Sequence, residues 1–531
     1  MRVLRMLGAL LALAATLSCA AAEGGTDDAR PGDPDLRRVA ELAPYERVLP
    51  APAMAQSGGP GYRLRPATVI RTAPGDDEVG RIGELLARQL RGPTGVPLPV
   101  VEGAGGSGIL LRIDKGEDTE GLGEEGYRLE STPAAVTMTA RTPAGLFHAA
   151  QTLRQLLPVS GAAAVPGGRI EDRPRFAYRG ALLDIARHFF TVEQVKRYVD
   201  QLAQYKINTL HLHLTDDQGW RLEIESWPML AAYGGGSEVG GGPGGAWTMD
   251  EYRELVAYAA ERYVEVVPEI DMPGHTHAAL ASYADLNCDG KPRDRYTGTK
   301  VGFSSLCVRK AKTYEFVDDV LREVAEATPG RYLHIGGDEA HSTSAADYTA
   351  FMDRAQKAVA VYGKQVVAWH QLAGAKPAPG AVLQWWGHDR TPAAEKAKVA
   401  AAVRAGHKVV LSPADRAYLD MKYDKSTGPG LVWAGYVPVR RSYAWDPGTH
   451  VSGVPESAVL GVEAALWTET VDSVVALEHM AFPRVLGLAE LGWSPATALD
   501  WDRYRLRLAA QGPRMTDQAI GFHRAQEVPW P

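Results

Sequence analysis

The chain has 531 residues, of which 45% are hydrophobic and 23% charged, and its net charge is −7. This composition is typical of a globular protein, and the length is sufficient for two or three domains. Lys and Arg are scattered along the chain, so we expect no nucleic-acid surface. Beyond the first residues, no apolar run is long enough to predict a membrane span.

The N-terminus has the pattern of a secretory signal peptide over residues 1–22. Arg2 and Arg5 form a basic start, and an uncharged run that ends in small residues follows them. We therefore expect a secreted, extracellular protein. The segment "TLSCA" leaves a lipid anchor at Cys19 as an alternative, although Thr16 fits poorly where lipoproteins carry a branched aliphatic residue.

Two segments follow before the composition changes. Residues 23–45 are polar with Gly and Pro, which predicts a linker. Residues 46–174 contain short strand patterns, such as "GILLRID", "GYRLEST" and "AVTMTART", and two helix patterns, "VGRIGELLARQLRGPTG" and "AGLFHAAQTLRQLLP". They predict a small α+β domain, and we find no catalytic constellation within it.

From residue 175 to 531, strand patterns alternate with helix patterns. Helix patterns such as "VEQVKRYVDQLAQYK", "MDEYRELVAYAAERY" and "AKTYEFVDDVLREVAEA" lie between many of the strands. The alternation predicts an α/β fold, a (β/α)₈ TIM barrel. Its eight strand patterns fall within residues 180–189, 209–217, 264–275, 332–339, 365–370, 381–386, 407–413 and 461–469.

Polar and aromatic residues gather at the C-terminal ends of these strand patterns, which is the face where barrels carry their active sites. The glycine-rich stretch 234–245 lacks a Lys-Ser/Thr pair, so we interpret it as a flexible loop at the rim rather than a phosphate cradle. The strand-end residues are Arg187, Asp216, Asp271, Asp338, Glu339, Trp369, Trp386, Trp467 and Glu469.

Acidic residues and tryptophans at a barrel mouth suggest a carbohydrate ligand, because sugar rings have apolar faces and hydroxyl edges. Retaining glycoside hydrolysis ordinarily uses two carboxyl groups about 5–5.5 Å apart on opposite sides of the bond. Asp338 and Glu339 in "HIGGDEAH" are adjacent, and neighbouring side chains of an extended strand point to opposite faces. We therefore expect the two acids to act on different atoms.

"HIGGDEAH" resembles the signature of glycoside hydrolase family 20, the β-N-acetylhexosaminidases. "LLDIARHF", "HLTDDQGWR", "IDMPGH", "WTET" and the α+β domain are also similar to secreted bacterial members, so the resemblance covers nearly the whole mature chain. It implies an exo-acting enzyme that removes terminal N-acetylglucosamine or N-acetylgalactosamine with retention. The nucleophile would be the substrate's own acetamido oxygen, and the intermediate an oxazolinium ion.

The resemblance also implies roles for individual residues. Glu339 would be the general acid and base, Asp338 would orient the acetamido group and stabilise the oxazolinium ion, and Tyr418 would bind the acetamido oxygen. Gly336 and Gly337 would avoid crowding the sugar. Substrate binding would fall to Arg187, Trp369, Trp386, Asp420, Trp467 and Glu469, and Asp216 and His275 would form a polar network that tunes Glu339. Apart from the resemblance, we expect Asp271 to support the site rather than to react.

Cys288 and Cys307 are an even pair in a chain predicted to be exported, which predicts a disulfide. The expected substrates are small carbohydrates, namely chitobiose, chitooligosaccharides or glycan ends. We expect no metal and no cofactor. The sequence leaves the natural substrate, gluco versus galacto preference and oligomeric state open.

Two other functions are compatible with parts of the sequence. His211 and His213 form a His-x-His pair that could serve a metal-dependent barrel hydrolase, but the acid pair and the tryptophans would then have no use. The barrel could also be a catalytically dead sugar-binding protein, although Asp338, Glu339 and Tyr418 are all present. A family 18 chitinase is disfavoured because the chain lacks an Asp-x-x-Asp-x-Asp-x-Glu run.

Overall fold

The computed structural model describes residues 34–103, 105–159 and 163–531. The predicted signal peptide and Cys19 lie outside these residues. Among the helices of the described segments, none combines the length and the apolar character needed to cross a bilayer.

The N-terminal domain is a mixed sheet on which helices pack. Its strands are β1 (Met54–Ser57), β2 (Tyr62–Arg63), β3 (Ile70–Thr72), β4 (Val100–Glu102), β5 (Gly108–Ile113), β6 (Tyr127–Ser131), β7 (Ala135–Ala140), β8 (Ala164–Val165) and β9 (Gly168–Asp172). Its helices are α1 (Pro34–Glu41), α2 (Asp77–Thr94) and α3 (Pro143–Leu156). Seven strands form one sheet in the order β1-β9-β6-β7-β5-β3-β4, while β2 pairs with β8.

Helix α1 lies within the segment that the sequence predicts as a linker. It contacts the last helix of the chain, and Arg505 Nη1 lies 2.6 Å from Asp35 Oδ2. Val39 is the only buried residue of this helix, so the segment carries almost none of the apolar periodicity by which helices are recognised. The linker prediction therefore missed a helix that docks by polar contacts.

The second domain is a closed barrel of eight parallel strands, which confirms the predicted (β/α)₈ fold. Each of the eight sequence patterns overlaps one strand, although the first and the last strand each begin two residues before their patterns, and the last strand pairs with the first. The strands are β10 (Tyr178–Asp184), β11 (Thr209–His213), β12 (Glu265–Glu269), β13 (Tyr332–His334), β14 (Gln365–Trp369), β15 (Val382–Trp385), β16 (Lys408–Leu411) and β17 (Val459–Leu466).

Helices connect successive strands, except that a 3₁₀ turn (His370–Gly374) joins β14 to β15. Helix α4 shows why the helices form where they do: Thr191 and Gln194 cap its start reciprocally, and Val192, Val195 and Val199 on one face are buried. The remaining helices are α5 (Met249–Ala260), α6 (His277–Ser282), α7 (Ala311–Ala327), α8 (Ala345–Val361), α9 (Ala393–Arg404), α10 (Ala414–Ala417), α11 (Val439–Tyr443), α12 (Val474–Ala481), α13 (Arg484–Trp493) and α14 (Trp501–Asp517), with α4 spanning Val192–Ala203.

The two domains meet at the N-terminal ends of the barrel strands through buried ion pairs. The fully buried Arg179 Nη2 lies 2.5 Å from Glu125 Oε1, and the fully buried Lys206 Nζ lies 3.2 Å from Asp172 Oδ2. Each cation belongs to the barrel and each carboxylate to the N-terminal domain. Because an unpaired buried charge is costly, these pairs fix the N-terminal domain to the side of the barrel opposite the strand C-termini.

The glycine-rich rim segment 234–245 is anchored rather than loose. The buried guanidinium of Arg221 donates to the carbonyls of Ala186, Gly235 and Gly245. Our expectation of a flexible loop overlooked this arginine, which lies outside the glycine-rich stretch and reaches it only in the folded chain.

Candidate active site

A cavity of about 400 Å³ opens at the C-terminal ends of the barrel strands. The structure brings all the predicted site residues to its wall except Trp369. His213, which the sequence analysis considered only as a metal ligand, also lines it, together with five residues that the sequence did not point to. The lining consists of Arg187, His213, Asp216, Asp271, His275, Thr299, Val301, Asp338, Glu339, Trp386, His388, Tyr418, Asp420, Leu431, Trp433, Trp467 and Glu469.

Asp338 and Glu339 lie on a tight turn after β13, not in the strand itself. The strand ends at His334, and Gly336, Gly337 and Glu339 all have positive φ, at 62°, 97° and 42°. The alternation of side chains along an extended strand therefore does not apply to the pair. Both side chains face the same cavity, with Asp338 13% and Glu339 28% exposed.

The two glycines serve this turn rather than the sugar. A Cβ on Gly336 would lie 1.7 Å from Asp271 Oδ1, and the same oxygen accepts a hydrogen bond of 3.0 Å from the Gly337 N–H. We expected the glycines to leave room for the sugar, and this reason is wrong. A side chain at position 336 would collide with Asp271. The glycines let the chain turn against that carboxyl group.

His275 connects the acid pair to a buried carboxylate. Its Nε2 lies 3.4 Å from Glu339 Oε2 and 4.0 Å from Asp338 Oδ1, while its Nδ1 lies 3.1 Å from Asp216 Oδ1. Burial alone would lower the pKa of His275, but Asp216, Asp338 and Asp271 raise it well above its usual value. The imidazolium form therefore places a positive charge beside both acids.

The carboxyl groups of Asp338 and Asp271 have raised pKa values. Burial, reinforced by the charge of Glu339 and opposed by His275, raises the pKa of Asp338 to about 6. Burial and the nearby Asp338 raise the pKa of Asp271 well above its usual value. A neutral Asp271 can then hydrogen-bond the Asp338 carboxylate without repelling it.

Asp420 and Glu469 present unused hydrogen-bonding oxygens to the cavity. Among the described residues, neither oxygen of the buried Asp420 has a hydrogen-bond partner, and Glu469 Oε2 and Arg187 Nε also have none. Burial raises the pKa of both carboxyl groups, and Arg187 opposes this increase at Glu469. Buried polar groups are nearly always paired, so these atoms are suited to a ligand that carries several hydroxyls.

Trp467 and Trp386 form aromatic walls. The Arg187 guanidinium lies 5.0 Å from the Trp467 ring centre, and Tyr418 lies 6.1 Å from it. Trp386 is held by a hydrogen bond of 3.1 Å from its Nε1 to Gln371. An indole face buries a large apolar area with a fixed orientation, as the apolar face of a sugar requires.

Trp369 does not line the cavity, in contrast to its expected contact with the sugar. It is completely buried 5.8 Å behind Trp467, and its Nε1 donates to Glu269 Oε1 at 2.9 Å. Its side chain lies inside the barrel because the buried Glu269 accepts the hydrogen bond of its indole N–H there. Trp369 therefore supports the wall that Trp467 presents.

Trp433 is the largest lining residue that sequence reasoning missed. It is 44% exposed and lies 6.1 Å from Trp386 and 5.9 Å from Tyr418, and its carbonyl accepts a hydrogen bond from Arg390. Like Val301, it comes from a connecting loop and not from the end of a strand. The aromatic residue in "GPGLVWAGY" shortly after Tyr418 was the available signal.

His213 on the cavity wall and His211 behind it share Glu269, and this arrangement is relevant to the metal-dependent alternative. His213 Nδ1 lies 2.6 Å and His211 Nε2 3.1 Å from Glu269 Oε2, and each histidine has a second carboxylate, Asp216 or Glu463. Burial opposes the charged forms, yet these carboxylates raise the pKa of His211 to about 9 and that of His213 well above its usual value. A protonated imidazole has no lone pair for a metal, so the donor set favours a hydrogen-bonded network.

Cys288 and Cys307 form a disulfide, as predicted. The segment between them supplies Thr299 and Val301 to the cavity wall. Independent anchors also hold this segment, including Gln218 to the Gly298 carbonyl at 2.8 Å. The disulfide therefore lies in the rim and outside the chemical groups of the site.

Replacing both cysteines by Ser is expected to lower the free energy of unfolding while leaving catalysis nearly unchanged. The disulfide closes a loop with a sequence separation of 19, for which chain entropy predicts a contribution of about 3 kcal/mol. Chemical denaturation and steady-state kinetics on an aryl glycoside would measure the two effects. A large loss of kcat at unchanged stability would contradict a purely structural role.

An α/β barrel whose mouth combines an acid pair, unpaired carboxylates and aromatic walls defines a glycoside hydrolase. The sequence matches "Glycosyl hydrolase family 20, catalytic domain" over residues 176–496 and "Glycosyl hydrolase family 20, domain 2" over residues 45–173. The chain belongs to glycoside hydrolase family 20.

Relatives of known name agree in sequence and structure. A β-N-acetylhexosaminidase of Cellulomonas fimi is 42% identical over 493 residues, which cover 92% of this chain and 98% of that protein. The solved family 20 β-N-acetylhexosaminidase of Streptomyces coelicolor is 59% identical with a TM-score of 0.90, covering 92% of this chain and 99% of that one. A mutant β-hexosaminidase of Streptomyces plicatus, in complex with the product GlcNAc, is 60% identical with a TM-score of 0.89, covering 92% and 98%.

Proposed function

We propose that this protein is an exo-acting β-N-acetylhexosaminidase that releases terminal N-acetylglucosamine or N-acetylgalactosamine from small carbohydrates. The single observation that carries the proposal is the placement of Asp338 and Glu339 on one turn, facing a cavity shared with Tyr418. The relatives named β-N-acetylhexosaminidase, and the one in complex with GlcNAc, support it. Chitobiose, chitooligosaccharides and glycan ends are the substrates that we expect.

In the first step, the acetamido carbonyl oxygen attacks the anomeric carbon as the glycosidic bond breaks. Glu339, the more exposed acid, gives its proton to the leaving oxygen. Asp338 accepts a hydrogen bond from the acetamido nitrogen and offsets the positive charge of the oxazolinium ion. Tyr418 donates its hydroxyl to the acetamido oxygen. Burial raises the pKa of Tyr418 well above its usual value, so this donor stays protonated.

In the second step, water attacks the anomeric carbon and Glu339 takes the proton of that water. The acetamido group is released unchanged, and two inversions give net retention. The binding residues hold the sugar throughout: Trp386 and Trp467 enclose the acetamido methyl and one ring face, with Trp369 behind Trp467. Hydroxyls of the terminal sugar take the unused hydrogen-bonding atoms of Arg187, Asp420 and Glu469.

Asp216, His275 and Asp271 support the acids. Asp216 holds His275, whose positive charge favours the ionised form of Asp338. Asp271 braces the turn by accepting a hydrogen bond from the Gly337 N–H, and its raised pKa favours a neutral group beside Asp338. The supporting residues therefore act through the acid pair rather than on the sugar.

An assay with aryl β-glycosides of N-acetylglucosamine and N-acetylgalactosamine, with and without a chelator, tests this function against both alternatives. We expect release of the aryl group from at least one substrate and the same rate after EDTA treatment. Loss of activity with EDTA, restored by a divalent cation, would favour the metal-dependent hydrolase that uses His211 and His213. Binding of N-acetylglucosamine without any hydrolysis would favour the dead sugar-binding protein.

We also propose that the protein is exported. The disulfide supports this location, because disulfides persist mainly in oxidising compartments. Mass spectrometry of the mature N-terminus distinguishes cleavage after residue 22 from lipid attachment at Cys19. An intact N-terminus in the cytoplasmic fraction would contradict export.

A further inference from the structure

Gly337, which immediately precedes Asp338, is held on both sides by side chains. Its N–H donates to Asp271 Oδ1 at 3.0 Å, and its carbonyl accepts a hydrogen bond of 2.7 Å from the hydroxyl of Tyr348 on helix α8. Peptide groups are planar, so the two bonds fix both peptide planes that flank Gly337. The second of these planes ends at the Cα of Asp338.

Tyr348 packs tightly against this turn without lining the cavity. A Cβ on Gly337 would lie 3.0 Å from the Tyr348 hydroxyl and 2.9 Å from Met352 Cε. Burial, with smaller effects of Asp338 and Asp271, raises the pKa of Tyr348 well above its usual value. The phenol therefore keeps its proton and donates to the Gly337 carbonyl over the whole working pH range.

We infer that Tyr348 is a positioning residue for the reaction. By holding the carbonyl of Gly337, Tyr348 sets the direction of the Asp338 carboxylate. The inference rests on the proposed function, in which Asp338 must point toward the acetamido nitrogen of the substrate. Gly337 has no side chain to restrict its backbone, and its φ of 97° is available only to such a residue. Without the Tyr348 hydroxyl, the peptide between Gly337 and Asp338 is free to rotate, and the carboxylate moves with it.

The Tyr348→Phe variant removes the hydroxyl and keeps the ring in place. We expect kcat on an aryl N-acetylglucosaminide to fall about tenfold with little change in KM, because a small misplacement of a catalytic group slows the chemical step. Tyr314→Phe is the matched control: its hydroxyl also donates to a backbone carbonyl, that of Val308 at 2.6 Å, but away from the acid pair. This control should lose similar thermal stability and keep its kcat.

A double-mutant cycle with Asp338→Asn separates positioning from a general structural role. If Tyr348 acts through Asp338, then Tyr348→Phe should lower kcat in the wild type but not in the Asp338→Asn background. The folded fraction of each variant, measured by circular dichroism, would correct kcat for any unfolded protein. Equal losses in both backgrounds, or an unchanged kcat for Tyr348→Phe, would overturn the inference. A wild type without hexosaminidase activity would instead overturn the proposed function.

Discussion

Replacing Glu339 by Gln is expected to slow the hydrolysis of chitobiose by about 10²–10⁴-fold, the usual range for loss of general acid catalysis. Gln has nearly the same shape and can adopt the same backbone, but it has no proton to give to the leaving oxygen. The sugar end of the cavity, with Asp420 and Glu469, should be unaffected, so KM should change far less than kcat. Steady-state kinetics on chitobiose would measure both constants.

The leaving group provides an internal control for this variant. A glycoside with a strongly activated aryl group needs little protonation, so the first step should be nearly as fast as in the wild type. The second step lacks its base, and an added anionic nucleophile such as azide should restore turnover. Glu254→Gln, at an exposed glutamate on α5, should behave as the wild type. Cleavage of chitobiose at the normal rate by Glu339→Gln would show that another group is the acid.

The sequence predicted the barrel and most of the cavity wall because both depend on residues that are close together in the chain. A strand pattern and the residue at its C-terminal end are adjacent in the chain, and the barrel brings all such ends to one face. Arg187, Asp216 and Glu469 were found in this way, and the structure places them around one cavity. No knowledge of long-range contacts was needed for these residues.

The residues that were predicted wrongly or missed depend instead on contacts with residues that are distant in the sequence. The burial of Trp369 follows from Glu269, and the need for Gly336 follows from Asp271. Trp433 reaches the cavity only because its loop folds back toward Tyr418. Each of these facts requires the positions of side chains on other strands or loops, which periodicity does not encode.

Asp338→Asn is expected to lower kcat by about 10²–10³-fold, the scale typical for loss of one preorganised electrostatic group. A neutral amide cannot offset the positive charge that forms on the oxazolinium nitrogen. The exposed Asp353→Asn on α8 serves as the matched control and should retain full activity. Tyr418→Phe should also lose rate, because the acetamido oxygen would be poorly held for attack.

The pH dependence of this variant provides a second readout. Asp338 has a pKa of about 6 and must be ionised to act, so its active form exists above that pH and is lost below it. The kcat/KM of the wild type should therefore fall as the pH decreases through about 6. Asp338→Asn should lack this decrease. The same decrease in both proteins would assign it to another group.

Substrate assistance itself is tested by the substrate. A glycoside with a plain 2-hydroxyl brings no nucleophile, so it should be almost inert even where it binds. A thiazoline analogue of the bicyclic intermediate should inhibit strongly, since it resembles the species that the site stabilises most. Because the sugar's own acetamido group forms the intermediate, mass spectrometry of the enzyme trapped during turnover should find no sugar attached to the protein. A covalent adduct on Asp338 or another carboxylate would instead establish a protein nucleophile and an ordinary retaining mechanism.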